Sequence, residues 1–578
     1  MSIHGSKLLE QVAGAGTSAC PESMMTLADV LRRLEHDDHL DQRQLRETRS
    51  AVNTVCRALG TQPDMVPAEP RQLRPQLAKL TPAMVDVSPG RWCNVKSLTL
   101  KALRRAGLKS MAGRSREALA PDWEALRALI PDRHFQSGIS RLMTYCTERG
   151  VSPTAVTPQT FVQFGLEVEN YSLVRDPGGL YRDTCKLWNR AVRTIPGWPQ
   201  LKVAVPDRRR TFALTLDEFP SPFRADVEGF LTRCAEPDVF SDSYYKPVAE
   251  LTLRNRRGYI LMAATALVQT GVPISQITSL DVIVNIDHAK ALLKFLYNLA
   301  GDKTNNQIYH IATLLKTISR HHLHQSEETV DQLRRLCKKL KPEGEGFTEK
   351  NRRCLRQFAD LNKLASLLRL PQRVTAQVVR RRQIRRRDAV RVAFATAIGI
   401  LLNIPVRADN LAGLRLDQHL QFAGDRAFLI VTSDETKNAV AVEAELTTRL
   451  VRLLHTYVQE FRPLLIGTPV PWLFPGKKGA RRPSGGFGQQ LSGFIAKEAG
   501  VVMTPHQFRH LAAKLYLDQH PDGFETVRRL LGHKSIETTM RYYRELESVL
   551  AGKRYAALLD ELLADHNAAS RRPVTEGV

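Results

Sequence analysis

The sequence predicts a mainly α-helical protein built from several helical blocks. The last block is a mostly helical domain with a small antiparallel β-sheet. Three observations predict this. Apolar residues recur at helical spacing through most of the chain. Two short runs read as strands, "RAFLIVT" (426–432) and "AVAVEAEL" (439–446), separated by the polar "SDETKN". The length of 578 residues exceeds what one core organises, so about three or four domains are expected at roughly 150 residues each.

Charge narrows the function classes. Lys and Arg number 84 against 59 Asp and Glu, a formal net charge of +25. A surplus of that size on a chain with an ordinary apolar content of 43 % points to a polyanionic partner, most often nucleic acid. An anionic membrane is the rival, but no lipidation signal or basic amphipathic anchor stands out. The longest apolar stretch, "VAFATAIGILL" (392–402), is too short to span a bilayer. Cysteines are scattered without a CxxC pair, so no zinc or other metal site is expected. With no secretory signal at the start, a reducing cytoplasm is the expected location.

In chain order, residues 1–115 read as short helices such as "TLADVLRRL" and "QLRETRSAVNTVCRAL", with no chemistry in them. Residues 120–205 form a second helical block. The basic, proline-containing "PDRRRTFALTLDEFPSPF" opens an expected linker at 206–239. A third helical block spans 240–345. It shares a faint pattern with the second: "LMTYCTERGVSPTAVT" and "LMAATALVQTGVPISQIT" both run from Leu-Met to Gly-Val to Thr. A duplicated module and a chance likeness are equally good readings.

Residues 346–387 are expected to form a basic connector. It ends in Arg380, Arg381, Arg382, Arg385, Arg386 and Arg387, six arginines in eight positions. Such a run is commonly a solvated face, but between two expected folded parts of a very basic chain a tether lying along a phosphate backbone is the better reading.

The last domain is expected over 388–567, with a disordered tail at 568–578. Its first helix, 388–403, places Val390, Phe394, Ala397 and Leu401 on one stripe and is broken by Pro405. Arg407 opens the next helix, where an anion would meet free backbone N–H groups as well as a guanidinium. Lys437 lies in the turn between the two strands, where it could reach a site or merely solvate the turn. In "TPHQFRHLAAKLYLDQ", Phe508, Leu511, Ala512 and Leu515 form an apolar stripe. His506 and Arg509 fall on the other side, where they would suit an anion. In "LLGHKSIETTMRYY", Gly532 is a plausible helix C-cap before His533, and Ser535 a plausible N-cap after it. Ile536, Met540, Tyr543 and Leu550 share a stripe, so Tyr543 reads as a packing residue. Tyr542, turned by about 100°, reads as the reactive candidate.

Taken as a set, these residues resemble the tyrosine recombinases of the phage integrase family. "VRADNLAGLRLD" (406–417) resembles that family's first-arginine box, "TPHQFRHLAA" its HxxRH box, and "LLGHKSIETTMRYY" its last box, with Tyr542 nine residues after His533. The likeness covers about 388–550. "LTLRNRRGYI" (251–260) more loosely resembles the start of a core-binding domain, so 240–345 is expected to bind DNA and 120–205 could be core-binding-like. One departure is Asn410, where the family often has an acid.

The resemblance implies Tyr542 as a nucleophile that forms a 3′-phosphotyrosyl link with DNA. Arg407 and Arg509 would hold the phosphate, Lys437 would protonate the leaving 5′ oxygen, His506 would assist proton transfer, and His533 would bond a phosphate oxygen. It implies no cofactor, double-stranded DNA as substrate, and a homotetramer on two duplexes, with a second recombinase as an open partner question. A mobile-element integrase fits the long N-terminal region. The alternatives are an inactive DNA-binding protein of the same fold and a type IB-like topoisomerase.

Overall fold

The computed structural model describes residues 25–37, 40–111, 118–206, 212–236, 247–342, 347–424, 426–436, 438–537, 539–540, 543, 552 and 555–563. The chain divides into two compact units, Asp207–Glu345 and a larger one made of Met1–Pro206 with Gly346–Val578. As expected, the fold is mainly α with one small antiparallel sheet.

In the larger unit, α1 (Leu27–Glu35), α2 (Gln42–Leu59), α3 (Pro70–Ala78) and α4 (Pro89–Arg105) enclose a core of Leu27, Val52, Leu73, Trp92 and Leu103. A capping box starts α1. Thr26 Oγ1 accepts from the Asp29 N–H, and the Asp29 carboxylate accepts from the Thr26 N–H. A second core lies among α5 (Pro121–Ala128), α6 (Arg133–Glu148), α7 (Pro158–Tyr171) and α8 (Pro177–Thr194). There Phe161 and Trp198 each meet Trp188 edge to face at 5.3 Å. Arg74 of α3 is buried and pairs with Glu169 of α7 at 2.6 Å, tying the two cores together.

The smaller unit holds α9 (Ser221–Ala235), α10 (Glu250–Gln269), α11 (Leu280–Val284), α12 (Ile286–Leu299), α13 (Asn306–His321) and α14 (Glu327–Leu340). The expected linker at 206–239 is a correction. Phe219, Phe223, Val227, Phe230 and Leu231 are buried in this unit's core. The prolines that suggested a loop sit at and just inside the start of α9, where a missing N–H costs nothing.

The third core of the larger unit starts earlier than residue 388. The expected connector at 346–387 contains α15 (Glu349–Arg356) and α16 (Leu361–Val379), and Phe347, Leu355, Leu367, Leu370 and Val374 join the core. The arginine run is therefore an exposed turn inside one unit, leading into α17 (Arg386–Asn403), and not a tether between two folded parts. Arg381 pairs with Asp388, whose side chain is 1 % exposed.

The expected stripe on α17 is displaced: Ala397 and Leu401 are buried, but Val390 and Phe394 are only half-buried. Ala389, Val392, Ala393, Ala395, Ile398 and Ile400 are buried as well, so α17 is a central helix enclosed on nearly every side. Gly399 lets Leu450 and Leu453 approach closely: a Cβ there would lie 3.0 Å from Leu453 Cδ2.

Beyond Pro405 come α18 (Ala408–Ala412), then β1 (Leu420–Ala423), β2 (Arg426–Val431) and β3 (Val442–Glu445) in the order β1-β2-β3. Both pairings are antiparallel, with Leu429 opposite Leu420 on one side and Ala444 on the other. β1 is one strand more than the two strand-like runs revealed. Then follow α19 (Thr448–Thr456), α20 (Ser484–Ala499), α21 (Gln507–Gln519) and α22 (Phe524–Leu531). Residues 555–563 are helical and expose Tyr555, Leu558 and Leu562. The expected tail at 568–578 lies outside the described residues, and so does Leu550.

Candidate active site

The end of α17 sets the first part of the site. Ile404 precedes a proline and is extended, with φ −133° and ψ 99°. The chain therefore leaves the helix there, and Arg407 becomes the N-cap of α18. Its guanidinium makes no hydrogen bond or ion pair among the described residues.

Arg509 does not lie on a solvent face as its helical position suggested. It is 5 % exposed. One guanidinium nitrogen donates to the Pro405 carbonyl at 2.9 Å, and the other donates to the Leu531 carbonyl. Each of those carbonyls lies two residues before a candidate residue, Arg407 in one case and His533 in the other. The buried arginine thus pins the two segments to α21, and the backbone carbonyls compensate its burial. The expected apolar stripe shifts accordingly: Phe508, Leu511, Ala513 and Leu517 are buried, whereas Ala512 and Leu515 are half-buried.

Gly532 ends α22 in the left-handed conformation, with φ 58° and ψ 45°, and the His533 N–H bonds the Arg528 carbonyl at 3.0 Å. This turn presents His533, and its Nδ1 lies 2.9 Å from Thr539 Oγ1, leaving Nε2 for a ligand.

The hairpin between β2 and β3 is held against the same turn. Asn438 Nδ2 donates to the Gly532 carbonyl at 3.2 Å. Asn410 Nδ2 donates to the Glu435 carbonyl at 3.0 Å, and Glu435 in turn accepts from His419 at 2.9 Å. At Asn410, an amide donor braces the hairpin through a bond that a carboxylate could not make. Lys437 lies on this hairpin, but the residue itself is outside the described residues, as is Tyr542.

Four candidate groups therefore gather at one place, and they feel one another. Burial pushes Arg509 down to about 10, with the charge of Arg407 adding to the effect. Arg407 is lowered by its own burial. Lost hydration, then the charges of Arg509, Arg407 and Lys350, hold His506 below its usual value. Burial, then Arg509 and Arg407, pushes His533 down to about 4. Two guanidinium groups and two neutral imidazoles, with no carboxylate among them, make a site short of one anion. Among the described residues no cluster of His, Cys, Asp or Glu could hold a metal ion.

The expected division of labour between the tyrosines can be examined for one of them. Tyr543 is 1 % exposed, packs on Phe347 at 5.9 Å, and its hydroxyl lies 3.1 Å from His510 Nδ1. It is a packing residue with a polar anchor. His510 and Asn351 were not singled out from the sequence. A histidine directly after a buried arginine was the available signal for the first, and nothing local marked the second.

Residues 374–548 match the phage integrase family, and within that region the chain is similar to tyrosine recombinases. Over 104 residues it is 36 % identical to the tyrosine recombinase XerC of Bifidobacterium longum (strain DJO10A), covering 16 % of this chain and 28 % of that one. Over 133 residues it is 31 % identical to the tyrosine recombinase XerD of Brucella suis biovar 1 (strain 1330), covering 22 % of this chain and 40 % of that one. The chain thus spans less than half the length of these curated relatives. A crystal structure of a lambda integrase(75-356) dimer bound to a COC' core site shares 14 % identity with a TM-score of 0.34, covering 54 % of this chain and 95 % of that one. That superposition is too loose to transfer positions. Among the described residues no helix is long and apolar enough to cross a membrane.

Proposed function

We propose that the protein is a site-specific DNA recombinase that cuts and rejoins strands through a covalent 3′-phosphotyrosyl intermediate. The observation that carries this reading is the convergence of Arg407, Arg509, His506 and His533 on one carboxylate-free site, next to the turn that leads into the Tyr542 segment.

A phosphodiester resists attack because it is anionic. Arg407, with no other partner among the described residues, would take one non-bridging oxygen. Arg509 is already held by two carbonyls and would present its remaining N–H groups without reorganising. The Tyr542 oxygen would attack phosphorus, forming the P–O bond to tyrosine while the bond to the 5′ oxygen breaks. His506, kept neutral, would receive the tyrosine proton. Lys437 would give a proton to the leaving 5′ oxygen, and His533 would donate from Nε2 to a phosphate oxygen. A 5′ hydroxyl from a second strand reverses the step, and the phosphotyrosyl bond conserves the energy for rejoining.

Two duplexes with four reacting strands imply a homotetramer on DNA, with a second recombinase as a further partner to be tested. The exposed apolar face at 555–563 would suit contact with a neighbouring protomer. The exposed arginines at 380–387 would contact phosphates. The length of chain outside the matched region favours a mobile-element integrase.

The test uses DNA carrying candidate ends of the element, with a nick that traps covalent intermediates. Wild type, Tyr542→Phe and Tyr543→Phe are compared on a denaturing gel. A protein–DNA adduct from wild type that vanishes in Tyr542→Phe is expected. An adduct that persists in Tyr542→Phe would move the nucleophile elsewhere. Tight binding without any adduct would favour a DNA-binding protein that has lost the chemistry.

A further inference from the structure

The Tyr543 hydroxyl belongs to a chain of hydrogen bonds whose direction is fixed from the Thr504 side. The Thr504 backbone N–H can only donate, and it reaches Gln507 Oε1 at 2.8 Å, with Thr504 Oγ1 3.2 Å from the same oxygen. The Gln507 amide nitrogen therefore faces Asn351 Oδ1, at 3.2 Å. That leaves Asn351 Nδ2 to donate to His510 Nε2 at 3.1 Å. A ring nitrogen that accepts carries no proton, so the proton of a neutral His510 sits on Nδ1 and is donated to Tyr543 Oη at 3.1 Å.

The groups are enclosed. Gln507 is 4 % exposed and His510 is 7 % exposed. Phe347 closes the apolar side, edge to face with His510 at 4.8 Å. Burial, then the charges of His506, Arg509 and His533, pushes His510 down to about 4, in keeping with the neutral ring the geometry requires. Gln507, Asn351 and His510 direct these side-chain bonds to one another and to Tyr543. Asn351 lies on α15, upstream of the residues that match the family.

We infer that Asn351 and His510 are positioning residues for strand cleavage: they fix the orientation of Tyr543 and so set the turn of helix that presents Tyr542. The inference rests on Tyr542 being the nucleophile. Residues 539, 540 and 543 are helical, and the sequence pattern sets Tyr542 one helical step, about 100°, from Tyr543. A displaced Tyr543 would swing its neighbour out of line with the phosphate, and an error near 1 Å in such a geometry costs on the order of 10²-fold.

The experiment is a double-mutant cycle in the full chain, measuring the single-turnover rate of adduct formation on the nicked DNA. Asn351→Leu removes the donor that fixes the His510 ring and tautomer, so the imidazole is no longer held towards Tyr543. Tyr543→Phe removes the acceptor but keeps the ring. Each single variant is expected to slow the adduct by about tenfold or more, with DNA affinity unchanged. The double variant is expected to be no slower than the slower single, because both break the same chain.

Unchanged rates in the singles, multiplying losses in the double, or losses matched by weaker DNA binding would each overturn the inference. If Asn351→Leu lacks a cooperative melt, His510→Phe, which removes the donor itself, takes its place in the cycle with the same expectations. Tyr542→Phe runs alongside. An adduct retained there overturns the nucleophile assignment. An adduct lost there, with full rates in the Asn351 and Tyr543 variants, overturns only the positioning role.

Discussion

His510 and His533 are both held neutral well below the ordinary imidazole value, at about 4. For each, burial is the first cause and the surrounding cations follow. A group whose folded pKa lies below its unfolded value of 6.5 destabilises the fold as it charges. Its contribution is complete above pH 6.5 and is lost as pH falls from 6.5 towards 4. The depression corresponds to roughly 3 kcal/mol for the enclosed His510 ring, and to less for His533, which is partly open to solvent screening. The two rings interact, so the losses will not simply add. Urea unfolding at pH 7 and at pH 5 should therefore show a marked drop in stability at the lower pH. His510→Gln, which cannot titrate, should flatten that dependence. An equal slope in the variant would mean that other groups govern acid sensitivity.

At the scale of elements, the loop-to-helix junctions aim the chemistry. The left-handed Gly532 at the end of α22 shows this. A Cβ there would meet nothing closer than Val440 at 3.9 Å, so the space exists and only the backbone conformation resists a side chain. Gly532→Ala should cost about 1 kcal/mol of stability. It should also slow cleavage, because the turn places His533. A variant with the expected stability loss but full cleavage would show that the turn tolerates movement.

Such local punctuation was legible in the sequence: the Gly532 cap, the Pro405 break and the two strand runs all stand where their residue types put them. What was not legible depended on long-range packing. Arg509 sits at a polar position of its helix by spacing, yet the Pro405 and Leu531 carbonyls pay for its burial, and neither is near it in sequence. The arginine run looked like a tether because its charge is local, whereas the core contacts of α15 and α16 that make it a turn are distant. β1 was missed because only the first of its four residues is buried, so it shows no alternation.

At the scale of the whole molecule, the larger unit contains cores that share no buried residue. Those at 27–106 and 111–203 are separate from the one at 347–543. The hydrogen-bond partners that orient the site come from the region of the last of these: Asn351 and Pro405, Asn410 and Glu435, Asn438 and Leu531, Thr539 and Tyr543. The N-terminal part meets this core at α20, where Thr81 Oγ1 donates to the Ala496 carbonyl at 2.7 Å and Gly500 admits the Ala83 backbone. One such hydrogen bond is worth about 1 kcal/mol, and none of these contacts reaches Arg407, His506 or His533. A chain truncated to residues 207–578 should therefore melt at a lower temperature than the full protein. On the nicked DNA it should still form the covalent adduct at a rate close to the full chain's. Loss of the adduct from a truncated chain that still melts cooperatively would mean that the first 206 residues act in cleavage itself, through DNA or through a neighbouring protomer.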